Sequence, residues 1–372
     1  MTRPVVLTGG GTGGHIFPMR AIADALLATG VAEGDIRFVG SRRGQEAAIL
    51  GGGPIALTLL PGRGIRRSLS LSAWRDNAGA IASLAGAMVR AIFDVGRWRP
   101  CVVVSVGGYA SAAVATAAVL WRRPLVLVDL DATPGVTHRV LARFATVRCV
   151  ALGAPSTGVE VTGAPVRSDV LEIDRSLEAR VRAKAAVTPP IDAARRVVVV
   201  MTGSLGATRV NRAVLELARQ WRDRTDLALV QVTGRRDYEM VNAGRPDLTG
   251  LDYRVIDFAH MPTWWALADV AICRAGATTV AELTTLALPA ILVPLPGAPG
   301  DHQTHNARAL ADAGAAQLLS DADCDAEALA QRVEHVLGPE VWAQMSRACT
   351  LLARPDAAAR IARVVLSAGR VT

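Results

Sequence analysis

The amino-acid sequence predicts an α/β protein of two doubly wound, parallel-sheet halves, on three observations. Short uncharged runs rich in valine end in glycines and lead into helix-spaced apolar residues, the pattern of strand, tight turn and helix in a buried parallel sheet. Pro4-Val5-Val6-Leu7-Thr8, the glycines of 9–14, and then Met19, Ile22, Ala23 and Leu26 make the first such unit. The same theme restarts far downstream, where Arg196–Met201 runs into Gly203-Ser204-Leu205-Gly206 and a helical stretch through Asn211. That spacing is too large for a solenoid and fits a second half of similar build. Finally, 372 residues, 51% hydrophobic and 20% charged, are enough for two packed domains and too apolar for a disordered chain.

Further strands are expected at Ile36–Gly40, Cys101–Val106 and Leu125–Val128 in the first half. In the second half they are expected at Leu227–Val232, Tyr253–Ile256, Val270–Cys273 and Ala290–Val293. Between the halves lie a turn-rich passage from Thr162 to Asp169, a charged stretch from Asp174 to Lys184, and Pro189-Pro190. The boundary is therefore placed at residue 168, with domains over 1–168 and 169–350. The stretch Leu351–Val365 reads as one helix with arginines on one face; the tail 351–372 could pack on either domain, and packing back on the first is one of the two arrangements open to it. Residues Cys101–Trp121 carry no charge, yet Gly107-Gly108 interrupts them and the rest of the run is rich in alanine, so they read as buried strand, turn and helix rather than a membrane span.

Formal net charge is +8, and Lys184 is the single lysine, so the positive charge is almost all arginine. Partners carrying phosphate are favoured. Aromatic residues make up 4%, which argues against a base-stacking surface for nucleic acid. Five widely separated cysteines without a CxxC pair point to neither a disulfide framework nor a zinc site, and fit a reducing compartment. The apolar run near the N-terminus is too short for a signal-peptide core.

Four passages carry chemistry. Gly9, Gly11 and Gly14 satisfy the G-x-G-x-x-G dinucleotide pattern, so an oxidoreductase is weighed. That reading wants a carboxylate at the end of the second strand, where Val39-Gly40-Ser41-Arg42-Arg43 offers none, although an NADP-binding variant could use the arginines. His15 closes the loop at the strand-to-helix turn, where a neutral imidazole can serve as general base or hydrogen-bond donor. Gly107-Gly108-Tyr109 and Gly203-Ser204-Leu205-Gly206-Ala207 are further glycine turns after strands, the latter fit to hold phosphate at a helix N-terminus. In Cys273–Leu283, small residues open a helix whose amides suit a diphosphate, and Glu282, one and a half turns in, can accept both hydroxyls of a ribose. The run Asp301-His302-Gln303-Thr304-His305-Asn306 offers side chains for sugar hydroxyls; no cysteine accompanies its histidines, so no metal site is expected.

Taken together, Gly10–Pro18, Gly107–Tyr109, Gly163–Arg167, Gly203–Ala207, Cys273–Glu282 and Asp301–Ala307 resemble the signature of the MurG family of bacterial N-acetylglucosaminyltransferases. The motifs stand in the right order over nearly the whole chain. The resemblance implies a GT-B fold, two Rossmann-like domains facing a central cleft. It implies inverting transfer of N-acetylglucosamine from UDP-N-acetylglucosamine to the 4-hydroxyl of lipid I, an undecaprenyl-linked muramyl-pentapeptide, at the cytoplasmic face of the membrane, with no cofactor. Carried over, Thr12, Gly13 and Gly14 lie against the donor, and Arg167 and Ser204 contact the nucleotide. Phe258 stands at the uracil edge, where the family has an aliphatic residue. Ala277, Thr278, Thr279, Val280, Ala281 and Glu282 hold diphosphate and ribose, Gln303 binds the sugar, and His15 is the candidate base.

The chain departs from the family pattern at Asp131, where an asparagine usually helps hold the sugar, at Val128, where a histidine is usual, and at Leu205, where glutamine is usual. An aspartate for an asparagine removes two donors and adds a negative charge. Between Arg63 and Trp98, basic and apolar residues interleave. Ile81, Leu84, Met88 and Ile92 follow helical spacing, and the flanking Arg66, Arg67, Trp74, Arg75 and Trp98 point to a peripheral contact with an anionic membrane surface, against the alternative that the stripe is core. Alternatives of other kinds are a related glycosyltransferase with another acceptor, a UDP-sugar epimerase, an NADP-binding oxidoreductase and a non-catalytic sugar-nucleotide binder.

Overall fold

The computed structural model describes residues 3–11, 13–61, 71–153, 155–203 and 206–370, without the side chains of 71–82. It divides into two compact units, Met1–Arg167 with Arg354–Thr372, and Ser168–Ala353.

The first unit contains β1 (Val5–Gly9), α1 (Gly13–Ala28), β2 (Ile36–Ser41), α2 (Glu46–Leu50), β3 (Ala56–Leu60) and α3 (Leu71–Trp98). There follow β4 (Val102–Gly107), α4 (Tyr109–Leu120), β5 (Leu125–Asp129), α5 (Val136–Leu141), β6 (Val147–Val150) and β7 (Val159–Val161). Its sheet has the order β3-β2-β1-β4-β5-β6-β7, parallel throughout. Valine-rich β1, β4 and β5 are central and their side chains almost wholly buried, as a sheet covered on both faces requires. Ala113, Ala115, Ala117 and Ala118 of α4 are buried in the same core as β4 and β5, which is why this uncharged stretch is helix and strand.

The second unit begins with α6 (Ser168–Leu171), α7 (Leu177–Ala186), β8 (Arg196–Met201), α8 (Thr208–Gln220), β9 (Leu227–Val232), α9 (Tyr238–Ala243) and β10 (Asp252–Ile256). It continues with α10 (Met261–Leu267), β11 (Val270–Cys273), α11 (Ala277–Thr285), β12 (Ala290–Leu292), α12 (His302–Asp312), β13 (Ala316–Leu318), α13 (Ala326–Leu337) and α14 (Pro339–Leu352). The sheet order is β10-β9-β8-β11-β12-β13, again all parallel. Each sheet reverses direction of strand addition at one point, between β1 and β4 and between β8 and β11. Ligands of open parallel sheets bind outside the strand ends at such points.

Two expectations need correction. The tail is not one helix from 351: α14 ends at Leu352, Pro355 cannot continue it, and α15 (Ala357–Gly369) starts afresh. α15 belongs to the first unit and packs on α1, burying Ile361, Ala362 and Val365. On α3, Met88 and Ile92 pack against the core, so that part of the apolar stripe is core after all. The face that α3 turns outward carries Val89 and Phe93 instead, 69% and 61% exposed. Ile81 and the residues from Arg63 to Arg75 lie outside the described side chains.

Candidate active site

In the first unit, the β1–α1 and β4–α4 loops meet at the switch point. Gly108 has φ +83°, and a Cβ there would sit 2.2 Å from the Gly10 carbonyl oxygen, so only glycine lets the loops touch. His15 stands in the first turn of α1, half-buried, its ring against the second loop: a Cβ at Gly107 would lie 3.3 Å from His15 Cδ2 and 3.4 Å from Nε2. Gly13 and Gly14 open the same helix, Gly14 exposed. Thr12 lies outside the described residues. Asp131 is half-buried in the loop after β5, and the Arg167 guanidinium lies over the Phe17 ring, 4.8 Å from its centroid.

A carboxylate does reach the end of β2, contrary to the expectation from Val39–Arg43. Glu46, at the start of α2, folds back so that its Oε1 accepts from the Ser41 amide at 2.9 Å and the Gly11 amide at 3.0 Å. The absence of side chains at Gly10, Gly40 and Gly44 makes room for it. A carboxylate already bonded to a fingerprint amide takes a donor that a dinucleotide phosphate would need, so Glu46 stands where an NADP-type ligand would compete. Tyr109 donates to Ser41 Oγ at 2.9 Å and ties the second loop to the same strand end.

Behind Gly107 runs a buried polar chain that motif reading missed. His138 Nδ1 is 2.7 Å from Asp129 Oδ1, His138 Nε2 is 2.8 Å from Ser105 Oγ, and Arg148 donates to Asp129 Oδ2 at 2.9 Å. Burial alone would raise the Asp129 pKa, but hydrogen bonds and charge from His138 and Arg148 outweigh it and hold the carboxyl below its ordinary value. Its contribution to stability is therefore full above the unfolded carboxylate range and fades as pH falls through the lower folded value. Arg148→Met removes one of the groups that lower it, so acid unfolding followed by circular dichroism is expected to begin at higher pH. An unchanged acid limb would show that Arg148 does not stabilise the carboxylate.

In the second unit, Gly276 caps α11 in an extended conformation, and the amides of its first turn precede any internal acceptor. Ala277, Thr278, Thr279, Val280 and Ala281 form this start, Val280 buried and the other four half-buried. Glu282 is 5% exposed, and its Oε2 accepts from the Trp265 indole N–H at 3.1 Å. Gln303 Oε1 accepts from the Leu295 amide at 3.0 Å, which fixes the side chain against the loop after β12. Asn306 Nδ2 donates to the Ala275 carbonyl at 3.0 Å, and Arg274 donates to the carbonyls of Val293 and Pro294 at 3.0 Å each, so the β11 and β12 loops are braced together. Phe258 comes after β10, 56% exposed, with the Arg235 guanidinium 5.0 Å from its ring centroid. Ser204 and Leu205 lie outside the described residues; Gly206 abuts Asp237, which Asn211 and Thr208 hold. Among the described residues, no group of three His, Cys, Asp or Glu side chains is placed to hold a metal ion.

Glu46, Trp265 and His138 thus bond to groups of the candidate site or lie beside it without belonging to a motif. The only signal in the sequence for Trp265 is its position between the expected base-edge residue and the β11 strand.

Comparison with known proteins agrees with this geometry. Residues 5–149 match the glycosyltransferase family 28 N-terminal domain and 197–361 its C-terminal domain. A protein of Alkalilimnicola ehrlichii named UDP-N-acetylglucosamine--N-acetylmuramyl-(pentapeptide) pyrophosphoryl-undecaprenol N-acetylglucosamine transferase is 37% identical over 100% of both chains. A protein of the same name from Myxococcus xanthus is 36% identical over 97% of this chain and 91% of its own. The crystal structure of Acinetobacter baumannii MurG superposes with a TM-score of 0.76 at 25% identity, over 98% of this chain and 100% of that one. A putative UDP-N-acetylglucosamine 2-epimerase from Listeria monocytogenes, TM-score 0.67 at 14% identity over 100% and 98%, shares the fold alone. The two parallel-sheet units are those of a GT-B glycosyltransferase, and the chain belongs to glycosyltransferase family 28 and, within it, to the MurG family.

Proposed function

We propose that this chain transfers N-acetylglucosamine from UDP-N-acetylglucosamine to the 4-hydroxyl of the muramyl sugar of lipid I, with inversion, as a step of peptidoglycan synthesis. The observation that carries the reading is full-length similarity to transferases of that name, joined to a second unit in which a buried carboxylate follows an amide-rich helix start.

On this reading the α11 amides and its dipole receive the diphosphate, Glu282 accepts the ribose hydroxyls, Phe258 meets the uracil edge and Gln303 bonds the sugar. In the first unit, His15 takes the proton of the acceptor hydroxyl as its oxygen bonds to the anomeric carbon. The bond from that carbon to the diphosphate oxygen breaks in the same step, and the electron pair leaves with UDP. Charge growing on UDP is met by the α11 amides and by Arg167 and Ser204. Thr12, Gly13 and Gly14 lie against the donor in this scheme, and Asp131 stands beside the sugar in place of the family's asparagine.

The test is transfer of radiolabelled N-acetylglucosamine to a lipid I analogue by the full chain. Label incorporated into lipid with stoichiometric release of UDP supports the reading; UDP-N-acetylglucosamine turned over with no labelled lipid, or bound without turnover, defeats it in favour of an epimerase or a sugar-nucleotide binder.

The chain works, on the same reading, as a peripheral protein at the cytoplasmic membrane face. Among the described residues no helix is long and apolar enough to cross a membrane. Phe93 on α3 is 61% exposed, and the half-exposed Trp121 lies against the same helix, its indole donating to the Ile92 carbonyl at 2.8 Å. Arg90, Arg97, Arg122 and Arg123 flank these two aromatic residues along the chain. Such a mixture favours an anionic interface. Phe93→Asp is expected to lower co-sedimentation with phosphatidylglycerol vesicles several-fold while leaving the far-ultraviolet circular dichroism unchanged. Undiminished sedimentation would place the contact elsewhere.

A further inference from the structure

We propose that Trp265 is a positioning residue for donor recognition: its indole N–H holds the Glu282 carboxylate in the orientation that receives the ribose hydroxyls. The inference rests on the reading of the second unit as the donor site and adds to it a residue that no motif marks.

The geometry is specific. Trp265 is fully buried on α10, the helix next in the chain after the Phe258 segment, and Glu282 is 5% exposed on α11. The indole N–H donates to Glu282 Oε2 at 3.1 Å, and the Trp265 carbonyl accepts from the Arg175 guanidinium at 2.5 Å. The tryptophan is therefore held at both its backbone and its ring. A glutamate has three rotatable side-chain bonds, and a hydrogen bond from a buried indole narrows the orientations its carboxylate can take. An indole N–H is a donor only, so it can bind the carboxylate but cannot offer an acceptor to a ribose hydroxyl. The hydroxyls must then donate to the carboxylate, one of whose oxygens, Oε2, the indole holds.

The carboxylate's charge is felt in the core beside it. Cys273 at the end of β11 is pushed up to about 12, first by burial and then by Glu282. Burying that charge is costly unless it is hydrogen-bonded, and bonds to charged groups are roughly twice as strong as neutral ones. A phenyl ring at 265 would keep part of the apolar packing but has no N–H to donate to the carboxylate. The same α10 segment thus adjoins the expected base edge and orients the expected ribose acceptor, coupling the two parts of nucleoside recognition.

Calorimetric titration of the full chain with UDP and with 2′,3′-dideoxy-UDP separates positioning from packing. The wild type is expected to prefer UDP by about tenfold or more, the scale of a charge-assisted hydrogen bond. Trp265→Phe is expected to weaken UDP about tenfold and to leave dideoxy-UDP within about twofold. In the Glu282→Gln background, Trp265→Phe is expected to add little, because both changes act on one interaction. Equal weakening of both nucleotides, or an undiminished preference for UDP in Trp265→Phe, overturns the proposal. A wild type that binds UDP and dideoxy-UDP alike refutes the ribose role of Glu282 and this inference with it, while one that binds neither refutes the donor site itself. Should the smaller ring unfold the unit, exchanging the Trp265 indole for the isosteric benzothiophene removes only the N–H and gives the same reading.

Discussion

Glu282→Ala is expected to lower kcat/KM for UDP-N-acetylglucosamine by about a hundredfold or more, most of it as a rise in KM. Glu282 is 5% exposed and bonded to the buried Trp265 indole, so truncation has two costs. It deletes the proposed acceptor for the ribose hydroxyls, and it leaves an indole N–H buried without the carboxylate it bonds. Sites that hydrogen-bond a substrate hydroxyl with a buried group discriminate strongly for it, because both sides lose when the bond is missing. Glu282→Gln keeps the volume and one acceptor oxygen but can also present a donor to the indole, so its effect is expected to be smaller. Steady-state kinetics at saturating acceptor, with thermal unfolding of each variant alongside, measure this. A KM within twofold of the wild type for Glu282→Ala, in a folded protein, would remove Glu282 from the donor site.

His15→Ala is expected to lower kcat by about 10²–10⁴, the usual contribution of a positioned general base, with donor KM little changed. The ring is held against Gly107, in the first turn of α1, so the imidazole is placed by the meeting of two loops rather than by its neighbours in sequence. With His15 as the proposed base, its removal should also remove the acidic limb of the pH–kcat profile, since the residual rate then depends on solvent to take the proton. Turnover equal to wild type would assign the base to another group. A loss of kcat with the acidic limb intact would give His15 a binding role instead.

Much of the candidate site's backbone was legible because helix starts and glycine turns are local features. A helix start exposes its amides whatever surrounds it, so Gly276 and the residues from Ala277 to Glu282 could be read from spacing. The glycine turns were legible for the same reason. Glu46 was not, because it lies five residues beyond Ser41, the strand end that it caps, and only the bend of 42–45 brings its carboxylate back. Trp265 comes directly after another tryptophan, and nothing in the order Trp264-Trp265 says which indole faces Glu282. His138 lies 33 residues from Ser105, and only the adjacency of β4 and β5 joins them through Asp129.

The fold divides in the same way. Valine-rich runs such as Val102–Val106 and Arg196–Met201 declare themselves as buried parallel strands, since a strand covered on both faces must be apolar throughout. The edge strands Val159–Val161 and Ala316–Leu318 escaped notice, being three residues each with no continuous apolar run, and Ala56–Leu60 escaped although mostly apolar, being only partly buried at the sheet edge. Likewise Met88 and Val89 are equally apolar in sequence, and only packing against α4 and the sheet made one core and the other surface.

By itself, then, the sequence determined the α/β class, the repeated strand–turn–helix theme and the residue types at each glycine turn. These arise from periodicity and backbone sterics acting within a few residues. Tertiary structure alone decided that β1 lies beside β4 and β8 beside β11, and hence which loops meet, which carboxylate reaches which amide and which indole holds Glu282. The physical reason is that strand order is chosen by burial over the whole sheet, and no stretch of chain encodes its own neighbour.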